Sequence, residues 1–351
     1  MILLYSVLLI LTIFISTKLL QQSSKNGLSL FNFDVQHTLP LRGLLAFLII
    51  THHLAQVVWV QEIPVIREFM SWGGVVVGQF FFITGYGLMA SYLKKGDNYL
   101  KGFLWRRLAK LLPPILIATF CYLALVSLLT QSNAFHTITN LRYGTAPLPT
   151  SWFVYAIIFF YFVFYLSARL FQRKGLIIIS LWIISSLYIG LLYYLHWEDC
   201  WYKSIYALNI GFTYAYYEDD IKVFIRRHPL AIAGCTIGLF TTLVLMWFFN
   251  SYIFVTNVPL WKSIVYYATP LFTIGATYLF GAIPSPLLKF LGKISYEVYL
   301  TQGAFVTLFS SMRDNWILYF ITVYCFSIFF AWLLHKLCSK SVLTLYRANN
   351  L

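Results

Sequence analysis

Apolar runs of about twenty residues, the length of a helix that crosses a bilayer, recur along the whole of this 351-residue chain. Sixty per cent of the residues are hydrophobic and only 10% are charged, with a mean hydropathy of +0.76. The runs are continuous and do not alternate with polar residues, which argues against a β-barrel. The pattern therefore predicts an all-α polytopic membrane protein.

The apolar runs predict about eleven transmembrane helices. The predicted spans are 2–20, 40–59, 70–93, 109–130, 151–170, 175–195, 201–217, 229–249, 261–282, 290–310 and 316–337. We interpret 2–20 as a true span, because no basic region precedes it and no small-residue cleavage site follows it, unlike in a signal peptide. The seventh span is short and contains polar residues, so its assignment needs a second criterion.

The distribution of basic residues supplies that criterion, because cytoplasmic loops of membrane proteins are enriched in Lys and Arg. With eleven spans and the N-terminus outside, 20 basic residues lie on the cytoplasmic side and 5 on the other. Without the seventh span the division is 14 against 11. The counts favour eleven spans, an external N-terminus and a cytoplasmic C-terminus.

The predicted organisation is an extra N-terminal transmembrane helix and loop at 1–38, a membrane domain at 39–338 and a cytoplasmic tail at 339–351. The net charge of +14 is spread over short loops, with no run long enough to follow a nucleic-acid backbone, so we expect no nucleic-acid partner. The five cysteines show no CxxC spacing, and neither a disulfide framework nor a structural metal site is expected.

Two ionisable residues define the second predicted span. Arg42 and His53 are eleven positions apart, which is about three helical turns, so both side chains lie on the same helix face. Ionisable groups inside a membrane indicate function, and a neutral histidine there can act as a general base. The alternatives are a core histidine bonded to a neighbouring helix and an arginine that only anchors the helix at the interface. His52 points about 100° away from His53, and for it we favour the packing role.

Other polar residues give weaker signals. Thr84 and Tyr86, in the third span, are candidate polar groups of a cavity. Arg106, Arg107 and Lys110 form a basic cluster that suits phosphate, or alternatively lipid headgroups. Glu297, near the start of a late span, is expected to pair with a cation or to stay near the interface.

In this order, the motifs resemble those of the acyltransferase-3 family of integral-membrane O-acyltransferases, a bacterial family. The resemblance rests on Arg42-Gly43 followed by His53, on Phe81 to Tyr86, on Arg107 to Pro113, on Trp152 and on Gly292 to Leu300, which includes Ser295, Tyr296 and Glu297. It covers about 39–338. Three positions depart from the family pattern: Lys110 replaces an arginine, Ile157 stands where an acid is common, and Gln302 stands where many members have histidine.

The resemblance implies transfer of an acyl group, commonly acetyl, from cytoplasmic acyl-CoA to a hydroxyl of a cell-envelope glycan or related acceptor. Arg42, Arg106, Arg107 and Lys110 would bind the phosphates of acetyl-CoA, which is a co-substrate and not a bound cofactor. His53 would be the general base, with Tyr86 or Thr84 stabilising the oxyanion. No metal is required. The expected setting is the inner (plasma) membrane, with membrane lipids as further partners.

Two other classes of function stay open on the sequence. A transporter or glycolipid flippase would also have many spans and buried cations, but would turn over no acyl-CoA. A non-catalytic membrane partner of a synthase would retain its function without His53. The sequence leaves the acceptor, the acyl chain length and the oligomeric state undecided. It also leaves open whether transfer is direct or passes through an acyl group on His53.

Overall fold

A computed structural model of the protein describes residues 33–130, 148, 151–248, 259–281, 283 and 285–348. Within these ranges the chain forms helices and no strand, which confirms the all-α prediction for them. The predicted span 2–20 lies outside the described residues.

Thirteen α-helices lie in the described ranges, and short 3-10 turns separate some of them. In chain order they are α1 Val35–Ala55, α2 Pro64–Arg67, α3 Gly73–Lys95, α4 Phe103–Thr130, α5 Trp152–Leu170, α6 Lys174–Tyr194, α7 Ile205–Tyr216, α8 Glu218–Arg227, α9 Pro229–Phe248, α10 Pro259–Phe280, α11 Pro286–Lys293, α12 Ser295–Leu308 and α13 Trp316–Ala348.

Six of these helices are long and apolar enough to cross a membrane: α1, α3, α4, α5, α6 and α13. Helices α8 and α9 form a further candidate if they count as one span, although they meet at an angle of 105°. The protein is thus a multi-pass membrane protein, whereas the predicted number of eleven spans is not confirmed by the described part of the chain.

Two predicted spans differ from the helices observed. The span at 201–217 is α7, a helix of only 12 residues, and the span at 290–310 is divided at Ile294 into α11 and α12. A 12-residue helix is about 18 Å long, shorter than the roughly 30 Å hydrocarbon core. Hydropathy averaged over a window of about twenty residues does not reveal either feature, because both segments are predominantly apolar.

Helices α3 and α7 cross at two glycines that face each other. A Cβ atom at Gly85 would lie 2.1 Å from the carbonyl oxygen of Leu208, and one at Gly211 would lie 2.2 Å from that of Phe82. Small residues let helix backbones approach closely in membranes, where packing drives helix association. The crossing therefore depends on the absence of a side chain at both positions.

We expect Gly85→Ala to destabilise the protein by about 1–3 kcal/mol, because the new methyl group overlaps a backbone atom that cannot rotate away. Gly87→Ala is the matched control, since a Cβ at that position on the same helix meets nothing within 4 Å. Thermal unfolding of the purified protein in detergent measures both. Equal unfolding temperatures for the two variants would show that the crossing is not tightly packed.

Helix α1 begins at Val35, five residues before the predicted start of its span. Arg42 consequently lies in the third turn of the helix rather than at its mouth, and His53 lies in the last turn. A second close crossing flanks Arg42: a Cβ at Gly43 would lie 2.0 Å from the carbonyl oxygen of Leu288 in α11. The two ends of α1 are called here the Arg42 end and the His53 end.

Candidate functional site

A cavity of about 890 Å³ opens at the His53 end of α1. The last turn of α1, the first turns of α3 and α5, and the segment between α6 and α7 form its walls. The side chains that line it include His53, Gln56, Trp152, Cys200, Tyr266 and Tyr299. Charged residues of both signs also line it: Arg67, Glu68, Glu198, Asp199 and Lys203. The cavity is therefore aromatic on some walls and polar on others, and it has room for a small organic group.

His53 lies on the wall of this cavity. Its Nδ1 is 2.8 Å from Oε1 of Gln56, the residue that caps the C-terminus of α1. Of the predicted site residues, Trp152 also lines the cavity, and its ring lies 6.3 Å from that of Trp201. The structure thus brings together His53 and Trp152, which are 99 positions apart in the sequence.

His52 lines the same cavity but is held differently. Its Nδ1 is 3.0 Å from the carbonyl oxygen of Phe69, and its side chain is buried. The ring lies against the backbone of Gly73, where a Cβ would be 2.3 Å from Nε2 of His52. This close contact with α3 agrees with the packing role expected from its position on the helix.

A second cluster lies toward the Arg42 end, on α1, α4 and α5. The positive charge of Arg107 acts on Arg42, and the side chain of Arg107 donates hydrogen bonds to the hydroxyls of Tyr99 and Tyr161. The Arg107 guanidinium also lies 5.6 Å from the centre of the Phe103 ring and 5.5 Å from that of Tyr161. No carboxylate among the described residues forms an ion pair with Arg42. The cluster thus brings two positive charges close together, and a bound anion would reduce their repulsion.

The other two predicted cations differ from Arg107. Arg106 donates hydrogen bonds to the carbonyl oxygens of Tyr99 and Lys101, so it closes the turn before α4. Lys110 is exposed one turn further along the same helix, within range of both arginine charges. Tyr161 is a member of the cluster that the sequence reasoning did not identify, because one tyrosine among 26 gives no signal by itself.

Thr84 and Tyr86 do not reach the cavity. Helix α3 starts at the His53 end and runs toward the Arg42 end, so Tyr86 is about 20 Å along it from Gly73. The Tyr86 hydroxyl donates to Oε2 of Glu218 at 2.9 Å, and Thr84 donates to the carbonyl oxygen of Phe80 at 2.7 Å. This geometry gives no support to the expectation that these hydroxyls stabilise an oxyanion at His53.

The late motif lies on α12, beside the second cluster. The Tyr296 hydroxyl donates to the carbonyl oxygen of Leu111 at 2.8 Å, which connects α12 to α4. Ser295 donates to the carbonyl oxygen of Gly292 at the turn that separates α11 from α12. Glu297 is buried, and its Oε1 is 2.8 Å from Nδ1 of His335 on α13. This contact supplies the partner that the sequence predicts for a carboxylate within a span.

Two departures from the family motifs lie in packed positions. Ile157 is buried in α5 and belongs to the large apolar core. Gln302 is completely buried in α12, and neither atom of its amide has a hydrogen-bond partner among the described residues. Within the same residues, no group of three or more His, Cys, Asp and Glu side chains could hold a metal ion.

The pKa of the Cys200 thiol gives a test of the electrostatic environment of the cavity. Burial and the carboxylates of Glu198 and Asp199 raise the pKa of this thiol to about 12. The thiolate is the reactive form, so maleimide labelling should be slow near neutral pH and rise about tenfold per pH unit up to pH 10. The measurement uses a variant in which the other four cysteines are serine. Glu198→Gln should accelerate labelling, and a rate that levels off below pH 9 would contradict the raised pKa.

Comparison with known proteins gives one match. The family model of the acyltransferase-3 domain, described as an acyltransferase domain, matches residues 41–336. The matched range begins just before Arg42 and ends just after His335, so it includes the cavity and the second cluster. No curated protein and no solved structure matches the chain.

Proposed function

The chain belongs to the acyltransferase-3 family of membrane acyltransferases, and on that premise we propose that it transfers an acyl group, most simply acetyl, from acyl-CoA to a hydroxyl. The proposed acceptor is a cell-envelope glycan or related molecule, and the proposed setting is the inner membrane. The observation on which this proposal rests is the placement of two different sites along α1: a cluster of arginines near one end and a histidine-lined cavity at the other.

The cation cluster suits the phosphates of CoA. Arginine binds phosphate through parallel hydrogen bonds, and an anion between Arg42 and Arg107 would relieve their mutual repulsion. Lys110 would add a point charge at the exposed edge. The positive-inside count supports a cytoplasmic position for this end, where acyl-CoA is available.

The two sites are separated by a distance that suits a long donor. Arg42 and His53 are about 16 Å apart along the helix, too far for one small group to touch both. In the proposed arrangement the nucleotide stays at the Arg42 end, and the pantetheine arm extends between the helices. The thioester then reaches the cavity, where the acceptor enters from the opposite side of the membrane.

In the cavity His53 would act as the general base. As the acceptor oxygen attacks the thioester carbonyl carbon, its proton moves to the imidazole. The tetrahedral oxyanion then collapses, the carbon–sulfur bond breaks, and the CoA thiolate takes the proton back from the imidazolium. Tyr266 is the hydroxyl that we propose for the oxyanion in place of Tyr86, because it lines the cavity beside Gly74.

Label transfer tests the proposed function. Inside-out membrane vesicles with and without the protein would receive acetyl-CoA labelled in the acetyl group, with host envelope glycans as acceptors. Label that reaches glycan only in vesicles containing the protein would support the proposal. If no label is transferred and the purified protein does not bind acetyl-CoA, the chemistry proposed here is wrong and a transporter becomes the better account.

A further inference from the structure

The residue one turn after His53 holds its ring. Gln56 is the C-cap of α1, and its backbone N–H donates to the carbonyl oxygen of His53, while the N–H of Val57 donates to that of Leu54. These backbone bonds fix the start of its side chain relative to the last turn of the helix. The side chain then reaches back, so that its Oε1 lies 2.8 Å from Nδ1 of His53.

This contact determines which ring nitrogen of His53 carries the proton. An amide oxygen accepts hydrogen bonds and cannot donate them, so Nδ1 must be the N–H donor. In a neutral imidazole the other nitrogen, Nε2, then has the free lone pair. No residue that the structure describes forms a hydrogen bond with Nε2 of His53. That nitrogen is therefore left for a ligand in the cavity.

We propose that Gln56 is a positioning residue for acyl transfer: it fixes His53 in the Nδ1–H tautomer and orients Nε2 as the base. The inference rests on the function proposed above and adds a residue that acts through His53 rather than on the substrate. A side chain that orients a base is a recurrent part of general-base sites, because a wrong tautomer has its proton where the substrate proton must go.

The environment of His52 explains why His53, and not His52, is proposed as the base. Its Nδ1 also faces an acceptor, the carbonyl oxygen of Phe69, so it has the same tautomer. Its Nε2, however, is packed against the backbone of Gly73, where even a methyl group would lie 2.3 Å away. A substrate hydroxyl cannot approach on that side. Of the two adjacent histidines, only His53 has both a side chain that orients its ring, Gln56, and an Nε2 atom that a substrate can approach.

The position of Gln56 follows from helix geometry. It is three residues after His53, so its side chain lies over the same face of the last turn. A neutral amide accepts the hydrogen bond from the ring without adding a charge beside it. A glutamate side chain at position 56 would still accept the hydrogen bond from Nδ1 and would therefore preserve the tautomer of His53. A methionine side chain would have a similar size but would not preserve this hydrogen bond.

Two substitutions of Gln56 separate the effect of its hydrogen-bond acceptor from the effect of its size. Gln56→Met should lower kcat by about tenfold or more while the KM for acetyl-CoA stays within about twofold, because only the base is misoriented. Gln56→Glu should restore most of the lost kcat, since it retains the acceptor. Gln36→Met is the matched control on the exposed first turn of the same helix and should behave as wild type. A purely structural role through the backbone of Gln56 would leave all three alike.

Nuclear magnetic resonance gives a readout that needs no acceptor. In the purified protein labelled with ¹⁵N-histidine, with His53→Asn used for assignment, Nδ1 of His53 should be protonated and Nε2 should not. Gln56→Met should give a mixture of tautomers. A protonated Nε2 in the wild type would overturn the inference, as would unchanged kcat and an unchanged spectrum in Gln56→Met. A wild type that transfers no acyl group would instead refute the proposed function, and the spectrum alone would then decide the role of Gln56.

Discussion

Replacing His53 with alanine is expected to abolish acyl transfer, with a loss of about 10²- to 10⁴-fold, the usual contribution of a general base. No other described residue on the cavity wall combines a basic ring nitrogen with an open approach, since His52 is packed against Gly73. The label-transfer assay in vesicles measures the effect. Acetyl-CoA binding should be unchanged, because His53 lies three turns away from Arg42.

The variant should fold, because His53 is only partly buried and its side-chain bond is to the local cap. His37→Ala is the matched control: it removes a histidine from the opposite end of the same helix, where the ring bonds Asp34. Full activity in His53→Ala, with the protein folded by gel filtration, would remove His53 from the mechanism.

Arg42→Gln is expected to weaken acetyl-CoA binding by about 10- to 100-fold, the range for one charge-assisted hydrogen bond lost to a phosphate. Folding should suffer less, because the substitution also removes repulsion with Arg107. Arg42→Lys should recover part of the affinity, since it keeps the charge but not the planar fork. Equilibrium binding to the purified protein gives each value.

Arg169→Gln is the control for this series. Arg169 lies in the last turn of α5, toward the same end of the bundle, and is exposed beside Tyr165. Its loss changes the net charge by the same amount without touching the cluster. If Arg42→Gln and Arg169→Gln bind acetyl-CoA equally well, Arg42 serves only to anchor its helix.

The sequence predicted the helix that contains both sites, because an arginine and a histidine three turns apart in an apolar run are costly and conspicuous. It did not predict the opposite wall of the cavity. Glu198, Asp199 and Cys200 lie in a connection between helices, and hydropathy does not indicate where such a connection folds. Tyr161 was missed for a related reason: it becomes distinctive only when α5 places it beside Arg107.

The distance of Tyr86 from His53 was not predicted for a different reason. Adjacent spans run in opposite directions, so a residue far along α3 lies far from the His53 end of α1. Counting the rise along α3 from Gly73 would have placed Tyr86 at the wrong depth for an oxyanion donor. Similarly, the break at Ile294 lies within one predominantly apolar stretch, and only the structure shows that α11 and α12 are separate helices.

A cryo-EM structure of the protein with a non-hydrolysable thioether analogue of acetyl-CoA tests the central claim most directly. We expect the phosphates within hydrogen-bond distance of Arg42 and Arg107, and the carbonyl group of the acyl end in the cavity beside Nε2 of His53. A nucleotide bound at the His53 end, or an analogue that touches neither arginine, would contradict the assignment of the two sites on α1.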